Sequence, residues 1–179
     1  MIDDFFINIS EKDFNEMFLL MWRQWDKTTI RENISLHDHQ KAYYKHIKNH
    51  EITNIFGNRQ DGKTILIQAY IVANFIKNKE ALNVEIFLPL SSAKRHYISN
   101  LPFFYNNFMK NKKIFFNDFA DEYSNLVSFN TVNKPPYSKD LSNTIFVFDQ
   151  YLEYKGNKIM KKFISDIMRY PRKKIIFSV

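Results

Sequence analysis

Two of the chain's three glycines, Gly57 and Gly62, stand with four residues between them, and Lys63 and Thr64 follow at once. The residues before them, Glu51-Ile52-Thr53-Asn54-Ile55-Phe56, form a short stretch suited to an extended strand. After them, Ile65, Ala69, Val72, Ala73 and Ile76 recur at the three-and-four spacing of a buried helix face. Strand, glycine turn and helix in that order form the first half of a crossover unit, whose helix returns the chain to a second, parallel strand.

The rest of the chain repeats the theme. Phe14, Met17, Phe18, Met21, Trp22 and Trp25 mark an amphipathic helix, and a second helix is expected from near Ser35, capped by its hydroxyl, through Gln40, Tyr43, Tyr44 and Ile47. Residues 84–90 read as a buried strand and 91–109 as a helix kinked at Pro102. Short strands are expected at 114–116 and 126–129, with a turn over 133–136. Thr144-Ile145-Phe146-Val147-Phe148 is a hydrophobic strand ending in Asp149, followed by a helix over 157–169 and a strand over 174–178. The expected fold is α/β, a mainly parallel sheet with helices on both faces. A core over 35–179 carries a helical segment, 1–34, packed against it.

Composition narrows the function. There is no cysteine, which excludes a disulfide framework, a thiolate zinc site and a cysteine nucleophile. No apolar run approaches the roughly 20 residues that span a bilayer, and the acidic start Ile2-Asp3-Asp4 does not suit a signal peptide, so a soluble intracellular protein is expected. The net charge of +7 would attract polyanions if it were gathered on one face. The 18 Phe and 10 Tyr, with abundant Lys, Asn and Ile, match what AT-rich coding favours. His37, His39, His46, His50 and His96 have no ligand spacing, and His37 and His39 are expected on different faces of their helix.

The segment Gly57-Asn58-Arg59-Gln60-Asp61-Gly62-Lys63-Thr64 satisfies G-x-x-x-x-G-K-[ST], a pattern whose mechanism requires a strand before it and a helix after it. The glycines let backbone N–H groups face inward around phosphate oxygens, and the helix adds the positive end of its dipole. Lys63 would then bridge the β- and γ-phosphates of ATP, and the Thr64 hydroxyl would ligate Mg²⁺. Asp61 would repel a triphosphate unless it points outward. Asp149, closing an apolar strand, is the expected second ligand of the metal. The competing reading is a glycine turn entering an ordinary helix with a surface lysine.

With Arg59-Gln60 preceding Asp61-Gly62-Lys63-Thr64, the loop resembles that of the large terminase subunit, the DNA-packaging motor of tailed phages and related viruses. Leu36-His37-Asp38-His39-Gln40 is similar to that family's adenine-recognition motif, residues 145–149 to its Walker B strand, and residues 174–178 to the strand leading into its coupling motif. The resemblance covers roughly residues 30–179 and implies a P-loop ATPase core of the ASCE type. It further implies that Gln40 reads the adenine edge and that Arg59 stabilises charge on the γ-phosphate in cis. Gly57, Asn58, Gln60, Asp61, Gly62, Lys63 and Thr64 complete the nucleotide loop. The implied partners are double-stranded DNA, a portal or other packaging-motor subunits and further copies of the chain, in the host cytoplasm.

The sequence departs from that pattern where the family places a glutamate after the Walker B aspartate. Gln150 stands there, and an amide accepts no proton at neutral pH, so hydrolysis is expected to be weak or absent. The sheet is expected to be incomplete at the C-terminus. Neither the coupling loop nor a nuclease domain falls within the 179 residues, as in a fragment, a split gene product or a reduced relative. Two other functions compete. One is a non-catalytic P-loop scaffold that acts by protein contact; the other is a helicase-type translocase, for which the Asp-Glu pair and a second motor lobe are missing.

Overall fold

The computed structural model describes residues 37–58, 61–77, 82–89, 94, 97–98, 100–101, 127–131, 133–136 and 140–179. The helix expected over 14–25, most of that over 91–109, the strand at 114–116, and Arg59, Gln60 and His96 lie outside the described residues. The elements are α1 (Asp38–Asn49), β1 (Ile52–Ile55), α2 (Lys63–Lys77), β2 (Asn83–Phe87), β3 (Val127–Asn130), β4 (Thr144–Phe148), a 3₁₀ turn (Tyr151–Glu153), α3 (Lys158–Ile167) and β5 (Lys174–Ser178). The strands form one five-stranded, all-parallel sheet in the order β1-β5-β4-β2-β3.

Side-chain alternation divides the core between the two faces of the sheet. Ile55, Val84, Ile86, Ile145, Val147 and Ile176 pack with α1 and α2 on one face. Phe87, Phe146, Phe148, Ile175 and Phe177 meet Met160, Phe163 and Ile167 of α3 on the other. Both β4 and β5 are buried along their whole length, which is why their sequences read as near-continuous apolar runs. Among the described residues, much of the aromatic content has a packing role. Phe87 pairs in register with Phe148, and Phe148 with Phe177, so their rings stack across three strands at 4.7 and 4.9 Å.

Two expectations about α1 are corrected. Its N-cap is His37, not Ser35, and Gln40 at the third helical position accepts a hydrogen bond from the His37 backbone N–H at 3.0 Å. Because His37 therefore lies outside the helix, its ring does not diverge from that of His39; the two stack in parallel at 5.5 Å.

At its other end α1 is held by a side chain unusual for a buried position. Lys174, the first residue of β5, is buried at 1% exposure. Its ammonium donates to the carbonyls of Ile47 at 2.7 Å and His50 at 2.6 Å, groups that a helix C-terminus leaves without intrahelical partners. Burial pulls the Lys174 pKa down to about 8, against the opposing pull of nearby Glu51.

That shift has a signed consequence. Folded Lys174 releases its proton near pH 8, whereas in the unfolded chain it holds it to about 10.5, so between these values the unfolded state binds more protons and stability rises with pH. Comparing urea denaturation of the parent and Lys174→Met should reveal a parent-specific gain of about 2 kcal/mol between pH 8 and 9.5. Parallel pH profiles for the two proteins would contradict it.

Candidate functional site

In an all-parallel sheet the carboxyl ends of the strands share one edge, and the loop after β1 and the residue after β4 both emerge there. Thr64, in the first turn of α2, donates its hydroxyl to Asp149 Oδ2 at 3.3 Å. The same oxygen accepts the Tyr97 hydroxyl at 2.9 Å, and Oδ1 accepts the backbone N–H of Gln150 at 3.1 Å. Asp149 is 3% exposed, so a carboxyl group withdrawn from water is met by three donors. Burial, and then the neighbouring Asp149, push the Tyr97 hydroxyl pKa well above its ordinary value. Tyr154 reaches the backbone of the same corner, its hydroxyl lying 3.1 Å from the Asp149 carbonyl and 3.3 Å from that of Phe87. Its pKa is also raised, by burial first and Asp149 second.

Lys63 curls back over the glycine loop and donates to the carbonyls of Gly57 at 2.9 Å and Asn58 at 2.6 Å. From the flank, α1 clasps the same loop. Gln40, 3% exposed, donates its amide to the Asp61 carbonyl at 3.3 Å, and the Tyr43 hydroxyl donates to the Phe56 carbonyl at 2.5 Å. His39 Nε2 lies 3.4 Å from the Asp61 carbonyl. Both polar atoms of the Gln40 amide are thus engaged within the chain, one by His37 and one by Asp61. Desolvation, and then Asp61, raise the Tyr43 pKa.

The glycines are required by this clasp. Gly62 has φ +75°, and a Cβ there would stand 2.7 Å from the Gln40 amide nitrogen. A Cβ on Gly57 would meet the Tyr43 hydroxyl and the Asp61 carboxylate, so Asp61 is turned toward the α1 flank of the loop.

Of the residues that sequence reasoning selected, Gln40, Gly57, Asn58, Asp61, Gly62 and Lys63 are thus gathered at the loop, and Thr64 and Asp149 meet beside it. Gln150 follows Asp149 in the left-handed region, at φ 55°, and is exposed. Arg59 and Gln60 fall outside the described residues. Sequence reasoning missed Tyr43, Tyr97 and Tyr154. Tyr43 and Tyr154 could have been found from their places, one helical turn after Gln40 and a few residues after Asp149; Tyr97 meets Asp149 across a long sequence separation and leaves no local signal.

The donor set suits a hard divalent cation that keeps part of its water: one hydroxyl and one carboxylate, both oxygen ligands, at the start of a helix. Among the described residues no cluster of three or more His, Asp or Glu side chains could hold a metal, and no helix is long and apolar enough to cross a membrane. No protein-family model matches the chain, and no curated protein matches it.

Gly62→Ala combines a strained φ with a clash against Gln40 and should lower folding stability by roughly 1–2 kcal/mol in chemical denaturation. Gly156→Ala, where a Cβ meets nothing within 4 Å, is the control. Equal costs for the two variants would show that the loop tolerates a side chain.

Proposed function

We propose that this chain binds ATP and magnesium at the loop after β1, as the ATPase core of a terminase-like viral DNA-packaging motor. The observation that carries the reading is the meeting of Thr64 and Asp149 at 3.3 Å, two residues that a magnesium-nucleotide site needs side by side and that different strand-helix units supply. The position of β5 between β1 and β4 supports the ASCE class, in which one strand separates the loop strand from the acid strand.

In this reading Thr64 and Asp149 hold the metal, which when bound neutralises charge on phosphate oxygens. Lys63 exchanges the Gly57 and Asn58 carbonyls for phosphate oxygens, and the N–H groups opening α2 face the same anion. Asp61, turned to the α1 flank, is drawn aside from the phosphates. Gln40 tethers the loop, and the adenine-reading role implied by the resemblance would draw on an amide that spans His37 and Asp61. Arg59 would supply the cis cation on the γ-phosphate.

Gln150 favours a second reading. With an amide where the resembled family has its base, the fold would serve as a non-catalytic scaffold that acts by protein contact. Thermal and chemical unfolding with Mg·ATP separates binding from a dead scaffold. The parent should gain about 2.7 kcal/mol at one hundred times Kd, and Lys63→Ala should gain nothing. A parent unmoved by Mg·ATP would remove the ATP reading.

Duplex DNA is the proposed polymer partner, with a portal or further motor subunits as protein partners in the host cytoplasm. The charge surplus supports it, since Lys155, Lys158, Lys161, Lys162, Arg169 and Arg172 are all exposed on and beside α3. Within α3, Lys158, Lys161 and Lys162 lie opposite the buried Met160, Phe163 and Ile167. Exchanging these three lysines for Glu should weaken binding to a random-sequence duplex and reduce the slope of log K against log salt by about three. An unchanged slope would exclude this face.

A further inference from the structure

Resting on the magnesium-nucleotide reading, we infer that Tyr97 is a positioning residue for the metal site: its hydroxyl aims the Asp149 carboxylate and couples the chain after β2 to what Asp149 binds. Asp149 has two oxygens and both are directed. Oδ1 is held by the Gln150 N–H of its own turn, and Oδ2 is shared between Thr64 at 3.3 Å and Tyr97 at 2.9 Å. The Tyr97 bond is the shorter of the two on that oxygen. The ring bearing it is 1% exposed and meets Phe129 of β3 edge-on at 6.3 Å, so packing from the far edge strand fixes where the hydroxyl points.

The same short segment is pinned at a second point. Asn100 donates to Gln68 Oε1 at 3.1 Å, and Gln68 lies one helical turn beyond Thr64 on α2. Tyr97 and Asn100 therefore bridge the two elements that supply the metal ligands, one contact to Asp149 and one to the Thr64 helix. Hydrogen-bonded partners of metal-ligating carboxylates set the ligand's orientation, and their loss weakens metal affinity about 10- to 100-fold. Sequence offered no sign of this pairing, since Tyr97 stands 52 residues from Asp149.

The test separates metal from nucleotide. Mn²⁺, an oxygen-ligand probe, is titrated by electron paramagnetic resonance into the protein with saturating ATP, and ATP affinity is measured in parallel without divalent ions. Tyr97→Phe is expected to raise the Mn²⁺ dissociation constant about tenfold or more while leaving metal-free ATP affinity within about twofold. Phe129→Leu keeps the hydroxyl but removes the ring that aims it, and is expected to shift Mn²⁺ affinity in the same direction by about threefold, which keeps the test open should Tyr97→Phe fold poorly. Mn²⁺ affinity unchanged in folded variants, with only a lower melting temperature, would overturn the inference and leave Tyr97 a packing residue. A parent that binds no Mn²⁺·ATP would instead overturn the nucleotide reading on which the inference rests.

Discussion

A carboxyl group taken almost wholly out of water needs hydrogen-bond donors, and meeting that need at Asp149 organises the site. The donors come from three places: the first turn of α2, the helical segment after β2, and the turn that Asp149 itself begins. They can converge because every strand runs the same way, which brings the ends of β1, β2 and β4 to one edge of the sheet. The start of α2 lies at the same edge and adds the partial positive charge of its free N–H groups. An antiparallel strand in the place of β4 would send its terminal acid to the opposite edge.

The glycine loop owes its shape less to its own residues than to the frame around it. β5 holds the C-terminus of α1 through the ammonium of Lys174, and the N-terminal half of α1 holds the loop through Gln40 and Tyr43. The described ends of the loop, at Phe56 and Asp61, are thereby held by elements that are themselves packed. This also accounts for the choice of glycine at 57 and 62, since the clasping side chains occupy the space that a Cβ would take.

The elements of the fold were largely legible from periodicity. The helical spacing after Lys63, the apolar run before Asp149 and the strand at 174–178 all correspond to elements, and Asn157 caps α3 by accepting the Met160 N–H. What periodicity does not encode is which strand lies beside which, because order in a parallel sheet is set by crossovers and not by local pattern. Lys174 illustrates the gap: at the start of a strand a lysine reads as a surface residue, and only the proximity of the α1 C-terminus makes its burial tolerable. Ser35 suits a cap by residue type alone, whereas His37 takes the position because Gln40 stands where it can close the turn. Tyr97 was invisible for the same reason as the strand order, its meaning being entirely tertiary.

Only a short connection, residues 150–157, separates Asp149 from the start of α3, and it is unusually well anchored. Gln150 adopts a left-handed conformation that turns the chain sharply, and the 3₁₀ turn follows at once. Tyr151 packs its ring against Phe148 and Phe177, while Tyr154 places its hydroxyl at the carbonyls of Phe87 and Asp149. The connection is thus held to β2, β4 and β5 by rings and hydrogen bonds. The lysines of α3 ride outward on the helix whose inner side grips the stacked phenylalanines. The outward lysines and the buried acid are thus joined through one continuous set of packed contacts.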